Sequence, residues 1–167
     1  PRQHTEKLIP HIIQQARAGE GLPVYGDGSN IRDWIHVRDH CEGLTAVMER
    51  GQPGGVYNFG GGCEVANIAL VDTLCDLLDA IAPRPDGVSY RTQKVFVRDR
   101  PGHDWRYALN AGRAARELGW QPRIPFEQGL RETVRWYLRN RPWETPRKAL
   151  RSKEPATAAE EDDRDVE

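Results

Sequence analysis

Short extended apolar runs alternate with segments of helical period along most of this chain. That alternation limits the fold more than any other feature. Leu8, Ile9, Ile12, Ile13 and Ala16 recur at helical spacing, so a helix is expected to start between Lys7 and Ile9 and to end at Gly19. Pro10 fits such a helix only in its first turn, where its missing N–H is not needed. Leu22–Tyr25 reads as a short strand and Gly26–Asn30 as a turn. Ile31–His36 reads as a second strand, the hairpin partner of the first. Val37, Cys41, Leu44, Val47 and Met48 mark one face of a helix closing at Gly51, and Gly55–Phe59 is an apolar strand. Asn67 is expected to cap a helix with the stripe Ile68, Leu70, Val71, Leu74, Leu77, Leu78 and Ile81. Val88–Val97 is extended in part, and Asp99–Asp104 is a loop. Asn110 caps a helix running to Leu118, and Pro125 opens a last helix. The fold class is therefore α/β.

The pattern stops at Glu144. Residues 144–167 are basic first and acidic last, without periodicity, and read as a disordered tail. A length of 167 residues allows one domain, or one domain with a tail. With 24 Lys+Arg against 25 Asp+Glu, no excess positive charge favours nucleic acid. No run approaches the ~18 apolar residues that span a bilayer, and PRQHTEKLIP holds no signal-peptide core. Cys41, Cys63 and Cys75 are odd in number and lack CxxC spacing. They read as reduced thiols of a cytoplasmic protein, with Cys41 and Cys75 on apolar helix faces. The chain begins at Pro1, and its one Met is Met48. Such a start is expected of a chain that is processed, engineered or cut from a longer one.

Motifs for several chemistries are missing. Gly26-Asp27-Gly28 lacks the third glycine of G-x-G-x-x-G and leads into a strand; Gly60–Gly62 completes no fingerprint either. No H-E-x-x-H pattern accompanies His36, His40 and Cys41, so no metal site is assigned. Neither a Walker A sequence nor a G-x-S-x-G elbow occurs.

The informative segment is Asp99–Ala108, DRPGHDWRYA. A Pro-Gly turn holds Arg100 and His103 on one loop, and arginine's planar fork suits phosphate oxygens. Local salt bridges on a solvated loop are the alternative. Arg32, in a strand beside Trp34, needs a partner: Asp33, Asp39 or a ligand. Asn58 in an apolar strand is costly unless backbone or ligand satisfies it.

EKLIP (Glu6–Pro10), LPVYGDG (Leu22–Gly28), IRDWIHVRDH (Ile31–His40), YNFGGG (Tyr57–Gly62) and DRPGHDWRYALN (Asp99–Asn110) occur in that order. With ARELGW (Ala115–Trp120) and TVRWYL (Thr133–Leu138), they resemble the extended short-chain dehydrogenase/reductase family over about residues 1–143. The helix–YGDG–RDW pattern is shared by many nucleotide-sugar epimerases and dehydratases of that family. The Asp99–Ala108 stretch is more specific to its dTDP-glucose dehydratase branch.

That branch converts dTDP-glucose to dTDP-4-keto-6-deoxyglucose by transient NAD-dependent oxidation at C4 and loss of water across C5–C6. By resemblance, Lys7 and Leu8 belong to a segment lining the substrate site, and Pro23, Val24 and Tyr25 to one around the thymine. Arg32 and Asn58 match positions contacting the sugar nucleotide. Asp99, Arg100 and His103 match the loop holding ribose and diphosphate.

The resemblance further implies a C-terminal substrate-binding lobe plus closing strands and helices of a Rossmann fold, with the N-terminal half absent. The NAD loop, the Tyr-x-x-x-Lys pair and the acid/base carboxylates would precede Pro1, so no catalytic or cofactor-binding residue is assigned here. Helix Val37–Arg50 would pack on the Rossmann sheet, strand Val56–Phe59 would extend it, and the family's homodimer interface would lie mostly outside the chain. The hydrophobic fraction, 38% against ~45–50% for an average domain, fits a polar tail and a core completed by other sequence. A different epimerase or dehydratase of the family, and a non-catalytic nucleotide-sugar-binding module, are the alternatives.

Overall fold

The structure, a computed structural model, describes residues 3–140. The tail expected at residues 144–167 lies outside the described residues, as does Pro1. The element order is α1 (Leu8–Ala18), β1 (Leu22–Tyr25), β2 (Ile31–Asp33), α2 (Val37–Arg50), β3 (Glu64–Ala66), α3 (Asn67–Ile81), β4 (Lys94–Val97), β5 (Arg106–Tyr107), α4 (Gly112–Leu118) and α5 (Phe126–Asn140). A 3-10 turn at Tyr90–Gln93 leads into β4.

The main core lies where α1, α3 and α5 meet β1. Ile12, Ile13, Leu22, Leu70, Leu74, Leu78, Tyr90, Val134 and Tyr137 are buried there. The apolar spacing of α1 and α3 dictates this packing: each helix has one stripe, and the stripes face each other. Pro10 sits in the first turn of α1. A second, smaller core joins Ala46 of α2 to Ala114 and Leu118 of α4 and to Trp120.

Two sheets form among the described residues, and their pairing departs from the hairpin expected above. β1 runs parallel to β4, with Tyr25 opposite Val97. β2 belongs to the other sheet, antiparallel to β3 and parallel to β5. The intervening turn is tied to α3 instead of closing a hairpin. The carbonyls of Gly28 and Asn30 accept from the backbone N–H groups of Ile68 and Asn67. Gly28 has a φ of +76°, and a Cβ there would lie 2.7 Å from Val24 and 2.8 Å from Ile68. Only glycine lets the chain turn so close to β1 and α3.

Three further expectations are corrected. Most of the apolar stripe of α2 faces outward: Val37, Cys41 and Leu44 are exposed and Met48 is 88% exposed, while Val47 alone of the five packs partly against the smaller core. The buried face carries Asp39, Gly43 and Ala46. Asp39 accepts from the Ile124 backbone N–H at 3.0 Å, and its carbonyl accepts from the Trp120 indole at 2.9 Å. Gly43 lies flush against the Phe59 ring, where a Cβ would come within 2.7 Å. Polar anchoring and small size, not hydrophobicity, thus choose the inward face.

Gly55–Phe59 is in neither sheet. Tyr57 and Phe59 turn toward α4 and Trp120. Tyr57 donates to Glu117 at 2.8 Å, and Phe59 meets Trp120 edge-on at 4.7 Å. Asn67 is the first residue of α3 and not its cap; its N–H is satisfied by Asn30.

Candidate functional site

The loop Asp99–Asp104 connects the ends of the two sheets, and its anchors follow from that position. At one end, Gly26 donates to the Val97 carbonyl at 2.9 Å, so the exit of β1 lies against the entry of the loop. Asp99 packs beside Gly26. Its Oδ1 lies 2.7 Å from His103 Nδ1 and accepts the Arg100 backbone N–H at 2.8 Å. The His103 bond, first, and the Arg100 N–H hold the Asp99 carboxyl below its usual range. An ionised carboxylate only accepts, so Nδ1 of His103 carries the proton in this pair. The His103 side chain is 6% exposed.

At the other end, the loop is bound to β2. The buried Asn30 amide donates to the Asp104 carbonyl at 3.3 Å, and the Ile31 N–H to the Trp105 carbonyl at 2.8 Å. Arg32 pairs with neither Asp33 nor Asp39. Its Nη1 donates to the carbonyls of Ile31 at 2.7 Å and Trp105 at 3.5 Å, and Nη2 to the Asp104 carbonyl at 2.9 Å. Its guanidinium lies over the Tyr107 ring, 4.3 Å from the centroid. The Tyr107 hydroxyl donates to Asp104, which raises its pKa above the usual value. Asp33 is engaged elsewhere, accepting from the Cys63 N–H at 2.9 Å.

The structure therefore gathers Tyr25, Arg32, Asp99, Arg100 and His103 around one loop. Tyr25 is 46% exposed at the end of β1. Val24 is a core residue whose side chain supports the strand, leaving Pro23 and Tyr25 nearer the surface. Lys7 is exposed at the head of α1, where Leu8 packs partly against the core. Asn58 is exposed, so the burial cost expected for it does not arise. Among the described residues, no hydrogen bond ties Lys7, Leu8 or Asn58 to the loop.

Sequence reasoning missed Asn30, Tyr107 and the partner of Arg106, which is Glu64: two bonds of 2.5 and 2.7 Å join β5 to β3. The one signal for Tyr107 is an aromatic ring in a polar stretch that no apolar face claims.

Two clefts of about 340 and 290 Å³ share Trp34, His36, Ile124 and Phe126, and neither is lined by Arg32, Asp99, Arg100 or His103. His36 caps α2 by accepting the Arg38 N–H at 3.2 Å. Among the described residues, no three His, Cys, Asp or Glu side chains gather as metal ligands. The glycine turns do not suit a dinucleotide: Gly26–Gly28 runs into β2 and Gly60–Gly62 into β3, so no helix N-terminus follows to meet a pyrophosphate. No helix among the described residues is long and apolar enough to cross a membrane.

This mixed α/β arrangement is part of an extended short-chain dehydrogenase/reductase fold. The family model described as GDP-mannose 4,6 dehydratase matches residues 1–133, and the chain belongs to that family. It is 51% identical over 143 residues to a dTDP-glucose 4,6-dehydratase of Xanthomonas campestris pv. campestris, covering 86% of this chain and 41% of that protein. The structure of DesIV, a dTDP-glucose 4,6-dehydratase from Streptomyces venezuelae with NAD and TYD bound, aligns with a TM-score of 0.77 at 44% identity. That alignment covers 86% of this chain and 42% of DesIV. The dTDP-glucose 4,6-dehydratase of Bacillus anthracis in complex with NAD gives 0.75 at 43% identity, with the same coverage. The chain spans about two-fifths of the length of the curated relatives it matches.

Proposed function

We propose that residues 1–143 form the nucleotide-sugar-binding portion of a dTDP-glucose 4,6-dehydratase, which converts dTDP-glucose to dTDP-4-keto-6-deoxyglucose and water. The observation that carries this reading is the convergence of Arg32, Asp99, Arg100 and His103 on one anchored loop. Arginine has five N–H donors. Three hydrogen bonds to carbonyls engage Nη1 and Nη2 of Arg32; Nε and one Nη2 hydrogen have no acceptor among the described residues. Nε–H and Nη2–H form one planar edge, the geometry that takes two oxygens of a phosphate group. His103 offers its second ring nitrogen, which accepts from a ribose hydroxyl when neutral and donates to phosphate when protonated. Tyr25 supplies an exposed ring for a base to stack on.

NAD supplies reversible hydride transfer when bound to such enzymes. The described residues offer it no strand–glycine loop–helix unit, so the role proposed here is the grip on the substrate's diphosphate and ribose. Lys7, Leu8, Pro23 and Asn58 complete the proposed lining by family resemblance alone. A homodimer and a cytoplasmic setting belong to the same proposal.

Calorimetric titration with dTDP, UDP and GDP tests the reading. The expected result is tightest binding of dTDP and a loss of about tenfold or more in Arg32→Ala, the scale of a charge-assisted bond. Tighter UDP or GDP binding would favour another epimerase or dehydratase of the family. Absence of binding to all three would remove the nucleotide-sugar assignment.

A further inference from the structure

The orientation of Arg32 is an unsolved problem if its own strand is considered alone. A long charged side chain on a half-exposed three-residue strand has many rotamers, and holding one of them costs entropy. The neighbouring strand supplies the constraint. Tyr107 is the register partner of Arg32 across the parallel β2–β5 pair. The guanidinium carbon stands 4.3 Å from the centroid of the Tyr107 ring, within the range of a cation–π contact. The ring is itself fixed. Its hydroxyl donates to Asp104, and the adjacent Arg106 makes two bonds to Glu64 on β3, so the outer strands are tied together across β2.

We propose that Tyr107 is a positioning residue for Arg32, its ring face holding the guanidinium plane so that the Nε/Nη2 edge stays presented to the substrate diphosphate. The inference rests on the reading of Arg32 as a diphosphate contact. Stacking against the ring also uses none of the guanidinium's N–H donors. The three carbonyls engage Nη1 and Nη2 while the Tyr107 ring engages the guanidinium carbon, so the two sets of contacts restrain the edge together. No group of Tyr107 needs to touch the ligand.

The test is a double-mutant cycle read by dTDP titration of the full chain, with Arg32→Ala, Tyr107→Leu and the double variant. Tyr107→Leu is expected to weaken dTDP binding about three- to tenfold, the scale of a cation–π contact. In the Arg32→Ala background the same change is expected to cost less than twofold, because the interaction it removes is already gone. Tyr107→Phe and Tyr107→Trp keep a π face but lose the hydroxyl bond to Asp104, so they are expected to weaken binding clearly less than Tyr107→Leu does. They also serve where the leucine variant does not fold. An equal loss in both backgrounds would overturn the proposal and leave Tyr107 a structural residue of β5, as would a loss in Tyr107→Phe as large as in Tyr107→Leu. Failure of the unaltered chain to bind dTDP overturns the nucleotide-sugar reading itself, and this inference with it.

Discussion

Nδ1 of His103 lies 2.7 Å from Oδ1 of Asp99, and the same oxygen accepts the Arg100 N–H. One carboxylate therefore sets both the imidazole and the backbone of the turn between Asp99 and His103. The loop's shape depends on that carboxylate staying charged.

A pH dependence follows. The Asp99 carboxyl is held below its usual value by His103 first and by the Arg100 N–H. A carboxyl with a folded-state pKa below its unfolded one stabilises the fold fully above the unfolded value, about 3.9, and loses that contribution as pH falls through the lowered value. The amide resonance of Arg100, followed by NMR, should titrate with a midpoint below about 3.9 and lose the transition in Asp99→Asn. A midpoint at or above the ordinary value would show that the pair does not form.

Asp39 tests the inverted face of α2. It is fully buried and accepts the Ile124 N–H through its side chain. Asp39→Ala leaves that donor unsatisfied, and urea unfolding should show a loss of about 1–3 kcal/mol.

The same inversion separates two apolar residues. Leu74→Ala in the main core should cost about 2–5 kcal/mol. Met48→Ala on the exposed stripe of α2 should fall within about 0.5 kcal/mol of the parent in the same measurement.

Gly28→Ala meets two penalties at once, a positive φ and contacts of 2.7 and 2.8 Å to Val24 and Ile68. Thermal or urea unfolding should report a loss of roughly 2–6 kcal/mol. Gly54 shares the positive φ, but no atom lies within 4 Å of an added Cβ. Gly54→Ala should cost only about 1–2 kcal/mol.

Local pattern was readable where one side of an element decides its fate. Leu22–Tyr25, both ends of α1 and the start of α5 fall where periodicity and punctuation put them. The apolar stripe of α3 is the stripe that packs. What the chain pairs with was not readable. The partner of β1 lies some 70 residues away at β4, and nothing in either segment names the other. β3 and β5, of three and two residues, are too short to carry a periodic signal. In α2 hydropathy marked an apolar face correctly but not what it faces, and the fully buried residues are an anchored carboxylate, a glycine and an alanine. At the site, the loop Asp99–Asp104 and Arg32 were visible as charges in a turn and a strand. Their meeting, through the carbonyls of Asp104 and Trp105, is a product of the β2–β5 pairing.

The central claim is that this loop and Arg32 together grip a nucleoside diphosphate. A crystal structure of the chain soaked with dTDP measures it most directly. The expected result is a diphosphate oxygen within about 2.7–2.9 Å of Arg32 Nε or Nη2, with His103 in reach of the ribose or the diphosphate. Well-ordered dTDP bound elsewhere on the described residues, with Arg32 and His103 unengaged, would contradict it.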